Sequence, residues 1–242
     1  MSKAFILLFL VMISASALLY GEELLPEWYT QLRDAVYSQN LSSRELTSLY
    51  AAAREKAERE LYGSARSTML SRCEYMMGRS FQYEENKKEA AAYYGRGMDH
   101  AEEALDQEAS PEAWQMLAEN ISQSCAVRST AWAMANGLKV ERYSKRALEL
   151  DIGNTAAQYM IAARYVYAPA PFHNYSKGIR MMEAIVTDFN GRLHRDDRFN
   201  VYSAIGYAFY QQKKYEDARG WFVKSLEVYP DNKFVTKLLA GL

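Results

Sequence analysis

Along most of the chain, apolar residues recur every three or four positions, the spacing of helices that bury one face. The clearest stretch is VYSAIGYAFYQQKKYEDARGWFVKSLEVYPD near the C-terminus. There Tyr202, Ile205, Gly206 and Phe209 share one face of a first helix, and Tyr215, Ala218, Phe222 and Ser225 share a face of a second. Gly206 and Ala218 lack bulk where the two helices meet, which predicts a close antiparallel pair. Pro230 cannot continue a helical hydrogen-bond ladder, so it ends the second helix. Asp231 then stands where a cap is needed for NKFVTKLLAGL, a tail expected to cover the open end of the pair.

The same spacing returns upstream. TAAQYMIAARY places Ile161, Ala162 and Tyr165 as Ile205, Gly206 and Phe209 are placed, and YSKGIRMMEAIV repeats the second helix with Tyr175 and Gly178. PEAWQMLAENI supplies Trp114, Leu117, Ala118 and Ile121 for another first helix, followed by an irregular insertion that carries Cys125, Trp132 and Met134 before the closing helix LKVERYSKRALEL. YYGRGMDHAEEAL has the pattern of a second helix through Tyr94, Gly97, Ala101, Ala104 and Leu105, while its partner within ARSTMLSRCEYMMGRSF is degenerate. Earlier, Ser42 and Glu45 form a capping box with Leu41 and Leu46 as a staple, so a helix is predicted over 43–61 with Gly63 ending it, after another over about 25–38. The expected organisation is 1–21 as a leader, 22–64 as N-terminal helices and 65–242 as one helical-repeat domain with a C-terminal capping helix.

The stretch RYVYAPAPFHNYSKG interrupts this pattern with prolines, a histidine and aromatics. Aligned on repeat positions, the segment from Tyr165 to Tyr175 corresponds to the shorter one from Phe209 to Tyr215. It therefore reads as a long turn inside one helical hairpin. Pro169 and Pro171 stop the first helix, and Asn174 or Ser176 caps the second. Tyr167, Phe172 and His173 are the candidates for a second contact surface on this turn.

The spacing of the C-terminal pair resembles the tetratricopeptide repeat, a 34-residue unit with W-x2-L-G-x2-Y, then Ala, Phe and Pro. The resemblance covers about residues 65–230 and implies an all-α fold, an α-α superhelix of antiparallel helix pairs. Several such units are needed before a stacked core is stable, and the chain offers four. It also implies a concave groove lined by the first helices, whose positions map to Gln115, Glu119 and Ser122, then Tyr159, Ala163 and Val166, then Tyr207 and Tyr210. Of the 19 tyrosines, Tyr94, Tyr165, Tyr175, Tyr202 and Tyr215 occupy packing positions. Those on the groove suit an extended peptide or helix, because tyrosine combines area with a hydroxyl at low entropic cost. The alternative is that they pack against N-terminal helices folded into the groove. Arg164, where a small residue is usual, either reaches into the groove or pairs within the protein.

Composition agrees with a folded helical protein, with 49% apolar and 24% charged residues, few prolines and few glycines. A formal net charge of −1, with basic and acidic residues interspersed, provides no field for nucleic acid. The N-terminal MSKAFILLFLVMISASALLYGEE has the layout of a secretory signal, cleaved after Ala17 or Gly21, with an uncleaved anchor as the alternative and the only membrane contact expected. Export would place the chain in the periplasm of a bacterium and permits, without requiring, a disulfide between Cys73 and Cys125. The leader, the irregular repeats and the run ALELD…AP are similar to periplasmic tetratricopeptide proteins associated with TRAP transporters. Those are usually lipoproteins, and the acylated cysteine is missing here.

Catalytic parts are absent from the pattern. The three histidines, His100, His173 and His194, form no metal pair at helical spacing, and there is no phosphate loop, CxxC or nucleophile elbow. No metal or cofactor is expected. Acid pairs such as Asp196 and Asp197 read as solvated charges on helix surfaces. In NGRLHRDDR the arginines either contact an anionic partner or pair with those acids. Of the Asn-x-Ser sequons at Asn40, Asn120 and Asn174, Asn120 falls mid-helix beside Ile121 and is a poor glycan acceptor. The expectation is a non-catalytic exported scaffold that binds a protein or peptide in its groove. The alternative is a homo-oligomeric transport accessory that binds or passes a small ligand.

Overall fold

The computed structural model describes residues 25–189 and 193–242, and the 1–21 leader lies outside the described residues. The described chain forms eleven helices: α1 (Glu27–Ser38), α2 (Ser43–Glu60), α3 (Gly63–Tyr83), α4 (Lys87–Gln107), α5 (Pro111–Val127), α6 (Thr130–Leu150), α7 (Thr155–Tyr167), α8 (Tyr175–Phe189), α9 (Arg195–Gln211), α10 (Tyr215–Val228) and α11 (Lys233–Ala240). Among the described residues no helix is long and apolar enough to cross a membrane.

Local chemistry sets most helix starts. Ser42 and Glu45 close the expected capping box on α2, with Ser42 N–H donating to Glu45 at 2.9 Å. Asn86, Ser110, Ser129, Asn154 and Asn174 each accept from a backbone N–H of the helix they precede. Such caps contribute about 1 kcal/mol each. Three boundaries differ from expectation. Gly63 opens α3 with φ of 57° where α2 was expected to end on it, because α2 stops at an extended Leu61. Asn232 caps α11 in place of Asp231. The insertion between α5 and α6 is a sharp break at Arg128 and Ser129, and its extra residues lengthen both helices.

The helices pack as sequential pairs, α3 with α4, α5 with α6, α7 with α8 and α9 with α10, and the first members α3, α5, α7 and α9 also touch in succession to form an inner layer. This is a tetratricopeptide-like solenoid. Contact positions carry small residues for a steric reason: a Cβ on Gly206 would sit 2.6 Å from the Phe222 ring, and one on Gly97 would sit 2.2 Å from the Asn120 amide. Asn120 is fully buried and donates to Ser71 and to the Met116 carbonyl, which leaves no room for a glycan. Tyr94 is fully buried as expected, whereas Tyr215, which begins α10 with Tyr210 beside it, is 46% exposed.

The degenerate pattern of α3 has a tertiary cause. Residues 67–78 are buried without interruption because α1 and α2 lie against one side of the helix and α4 and α5 against the other. A helix covered all round cannot show a one-faced stripe. Two of its buried polar residues are matched individually: Ser71 donates to the Gly97 carbonyl at 2.7 Å, and the fully buried Glu74 receives Tyr50 at 2.5 Å, Arg96 at 2.9 Å and Arg54 at 3.4 Å. Cys73 and Cys125 are both free thiols, so the permitted disulfide is not formed.

Candidate functional site

Helix α1 lies outside the repeats yet contacts α2, α3 and α9, bridging the first and last inner helices. Four of its apolar side chains, Tyr29, Leu32, Val36 and Tyr37, are at most 2% exposed. Tyr37 stacks on Tyr229 at 5.1 Å and meets Phe199 edge-on at 5.4 Å, and its hydroxyl and the Asn200 amide exchange hydrogen bonds. Asn232 donates to the Tyr37 carbonyl at 2.7 Å, so the C-terminal cap also closes on α1. Charged groups complete the clasp. Asp34 receives Arg33, Arg195 and the Tyr229 hydroxyl at 2.7–2.9 Å, which hold its carboxyl below the usual range against the opposing effect of burial.

Between α1 and the first turns of α5, α7 and α9 remains a cavity of about 280 Å³. Leu25, just before α1, and Tyr29 of α1 close one side, Arg72 and Met76 of α3 another, and Glu119 and Asp197 lie in its wall. Glu119 is 9% and Asp197 6% exposed. The Asn154 amide donates to the Gln115 side-chain oxygen Oε1 at 3.0 Å, and the Gln115 amide nitrogen in turn donates to Glu119 at 3.0 Å. Thr155 donates to Asp197 at 2.8 Å. Burial pushes the Glu119 carboxyl up to about 7, with the Arg72 charge opposing. Burial, then the charges of Asp196 and Glu119, push Asp197 well above the usual carboxylate range. Among the described residues no group of three His, Cys, Asp or Glu could hold a metal ion.

The residues expected on one groove divide into three sets. Gln115 and Glu119 face the cavity. Tyr159 and Ala163 are buried in the common core, while Val166 packs within its own hairpin, where a Cβ on Gly178 would meet it at 2.7 Å. Ser122, Tyr207 and Tyr210 are half-buried, and Tyr207 stacks on Tyr167 at 5.4 Å. On the long turn, Phe172 is 66% exposed and His173 stacks on Tyr175 at 4.6 Å. Arg164 pairs with Glu141 of the same chain's α6, both side chains partly exposed.

Asp196 and Asp197 correct the sequence reading most. Asp197 is buried against Thr155, and Asp196 pairs with Arg33 of α1 at 3.3 Å. Of the described arginines of their own segment, Arg195 reaches Asp34 and the Val228 carbonyl and Arg198 reaches the Leu193 carbonyl; residues 190–192 lie outside the described residues. A signal for Asp197 exists, because it continues the buried stripe of Val201, Ala204 and Ala208 one turn toward the N-terminus. Arg72, Asn154 and Thr155 had no such signal, as their role depends on helices brought together in space.

The tetratricopeptide repeat family matches residues 199–232, the pair α9 and α10 with its terminal turn. Among solved structures, the crystal structure of YrrB, "a TPR protein with an unusual peptide-binding site", is similar at 14% identity, covering 88% of this chain and 98% of that one with a TM-score of 0.39. No curated protein matches the chain.

Proposed function

We propose that this chain, a tetratricopeptide-repeat protein, is an exported, non-catalytic scaffold that holds a helical or extended protein segment against its concave side. The observation that supports this reading is α1, a helix from outside the repeats seated on the inner layer through Tyr29, Leu32, Val36 and Tyr37. This is helix-in-groove recognition performed within one chain. The inner helices offer further aromatic surface at their C-terminal ends, where Tyr167, Tyr207 and Tyr210 adjoin the exposed Phe172 turn. Tyrosines that retain both area and a free edge are the side chains best suited to a second segment. The test is a photo-crosslinking residue placed at Tyr210 or Phe172 in producing cells. Protein adducts there that disappear with Tyr207→Ala support the scaffold. Adducts that form equally well from exposed positions on α6, and survive that substitution, refute it.

A second reading is a periplasmic, oligomeric accessory of a TRAP-type transporter, handling a small ligand. The cavity under α1 favours it, since at about 280 Å³ it approaches the lower end of the size of small-molecule sites. Native mass spectrometry of protein purified after export tests both parts, through a bound small mass and through the subunit number.

A further inference from the structure

We infer that the cavity between α1 and the inner helices recognises a positively charged nitrogen group, an ammonium or guanidinium, carried either by a free small amine or by a Lys or Arg side chain of a peptide. The inference rests on the second reading, that the cavity takes a ligand, and adds the ligand's class. Among the described residues five carboxyl side chains line the space, Glu112, Glu119, Asp151, Asp196 and Asp197, against Arg72 and His194 as bases. Arg33 of α1 is committed to Asp34 and Asp196. The first turns of α5, α7 and α9 also point here, and three helix N-termini supply together about +1.5 of charge at most. With Asp196 paired to Arg33 and Arg72 added, this wall is negative once Glu119 and Asp197 are ionised.

The internal contrast with Glu74 strengthens the argument. Glu74, fully buried, is met by two arginines and a tyrosine hydroxyl. Among the described residues, Glu119 and Asp197 each receive one hydrogen bond, both from neutral donors, and neither is in an ion pair. A carboxylate removed from water without a countercharge is costly, and a cationic ligand would supply the missing one. The neutral donors are themselves fixed. The Asn154 carbonyl oxygen caps α7 at 2.8 Å while its amide holds Gln115, so Gln115 is oriented toward one Glu119 oxygen and the other remains for a ligand. The absence of a three-ligand convergence among the described residues favours an organic cation over a metal ion. The volume, about 280 Å³, equals roughly nine waters' share of the liquid, enough for a short amine or the end of a basic side chain.

The experiment titrates the full exported chain with 1,4-diaminobutane, arginine methyl ester and a lysine-containing tetrapeptide. Glutarate and butane-1,4-diol serve as the anionic and neutral probes, and binding is read by calorimetry and thermal shift. At pH 8 at least one cationic probe is expected to bind with one-to-one stoichiometry, and Asp197→Asn is expected to weaken it at least tenfold. Affinity is also expected to fall toward pH 5.5 as the acids take up protons. The charged groups facing Glu119 and Asp197 are Arg72 and Arg79 from α3 and Asp196 from α9. Arg33 on α1 and His194, which precedes α9, lie nearby. Glu119→Gln, nearly identical in shape, is the second variant should Asp197→Asn fold poorly. Binding of the free amines supports a small ligand, and binding of the peptide alone supports a basic side chain; either supports the inference. Binding of glutarate or the diol without the cations overturns the charge class while the cavity remains a ligand site. Binding of no probe overturns both, and cation binding unchanged in both variants overturns the assignment to this cavity.

Discussion

Replacing Glu119 by glutamine should stabilise the protein, and the amount should depend on pH. The Glu119 carboxyl titrates at about 7 rather than at its ordinary 4.5, chiefly because of burial. At ~1.4 kcal/mol for each tenfold, ionising it in the folded state disfavours folding by about 3 kcal/mol. The sign follows from proton binding: the folded chain holds this proton more tightly than the unfolded one. Its contribution is therefore fully present below pH 4.5, declines as pH rises toward 7 and is lost above it. Glutamine keeps an oxygen for the Gln115 amide at 3.0 Å and carries no charge. Loss of the Glu119 charge also relieves Asp197, which is raised in part by that neighbour. Urea unfolding of both proteins at several pH values is the assay. The variant should match the wild type near pH 4.5 and exceed it by about 3 kcal/mol at pH 8, a rise of about 6–12 °C in Tm for a chain of this size. A difference that does not vary with pH, or a variant less stable at pH 8, would show that Glu119 is compensated in the folded protein and would refute the reasoning.

Other consequences are open to measurement. Tyr37→Ala should cost about 3–5 kcal/mol, since a fully buried ring between Phe199 and Tyr229 is lost; hydrogen exchange should then show α1 unprotected, and a loss under 1 kcal/mol would mean that α1 is not anchored by it. Gly206→Ala places a carbon 2.6 Å from the Phe222 ring, so an overpacking cost of about 1–3 kcal/mol should outweigh the roughly 1 kcal/mol that alanine contributes in a helix; an unchanged or raised Tm would show that the ring moves aside freely. Burial pushes the Cys73 thiol up to about 12 and raises that of Cys125, so thiol reagents at pH 7.5 should label native protein slowly, and denatured protein at both cysteines. A Cys73–Cys125 cross-link in peptide mapping would contradict the free thiols.

Patterning was sufficient for the local and the periodic features of this protein. The helix pair of α9 and α10, the close approach at Gly206 and the capping box on α2 are set by neighbouring residues, which act before any long-range contact forms. The long turn through Phe172 was legible for the same reason, because two prolines and an Asn cap act within a few residues. Three features required the tertiary fold. Helix α3 is covered on every side, which erases the stripe that would announce it. Helix α1 seats on the inner layer because its Tyr29, Leu32, Val36 and Tyr37 find apolar partners only where the first and last inner helices both reach it. Glu119 carries the same local signature as any surface acid, Asp197 shows only that it continues a buried stripe, and one lies in α5 and the other in α9. Their burial in one cavity follows from closure of the superhelix on α1, a relation among helices that no single stretch of sequence contains.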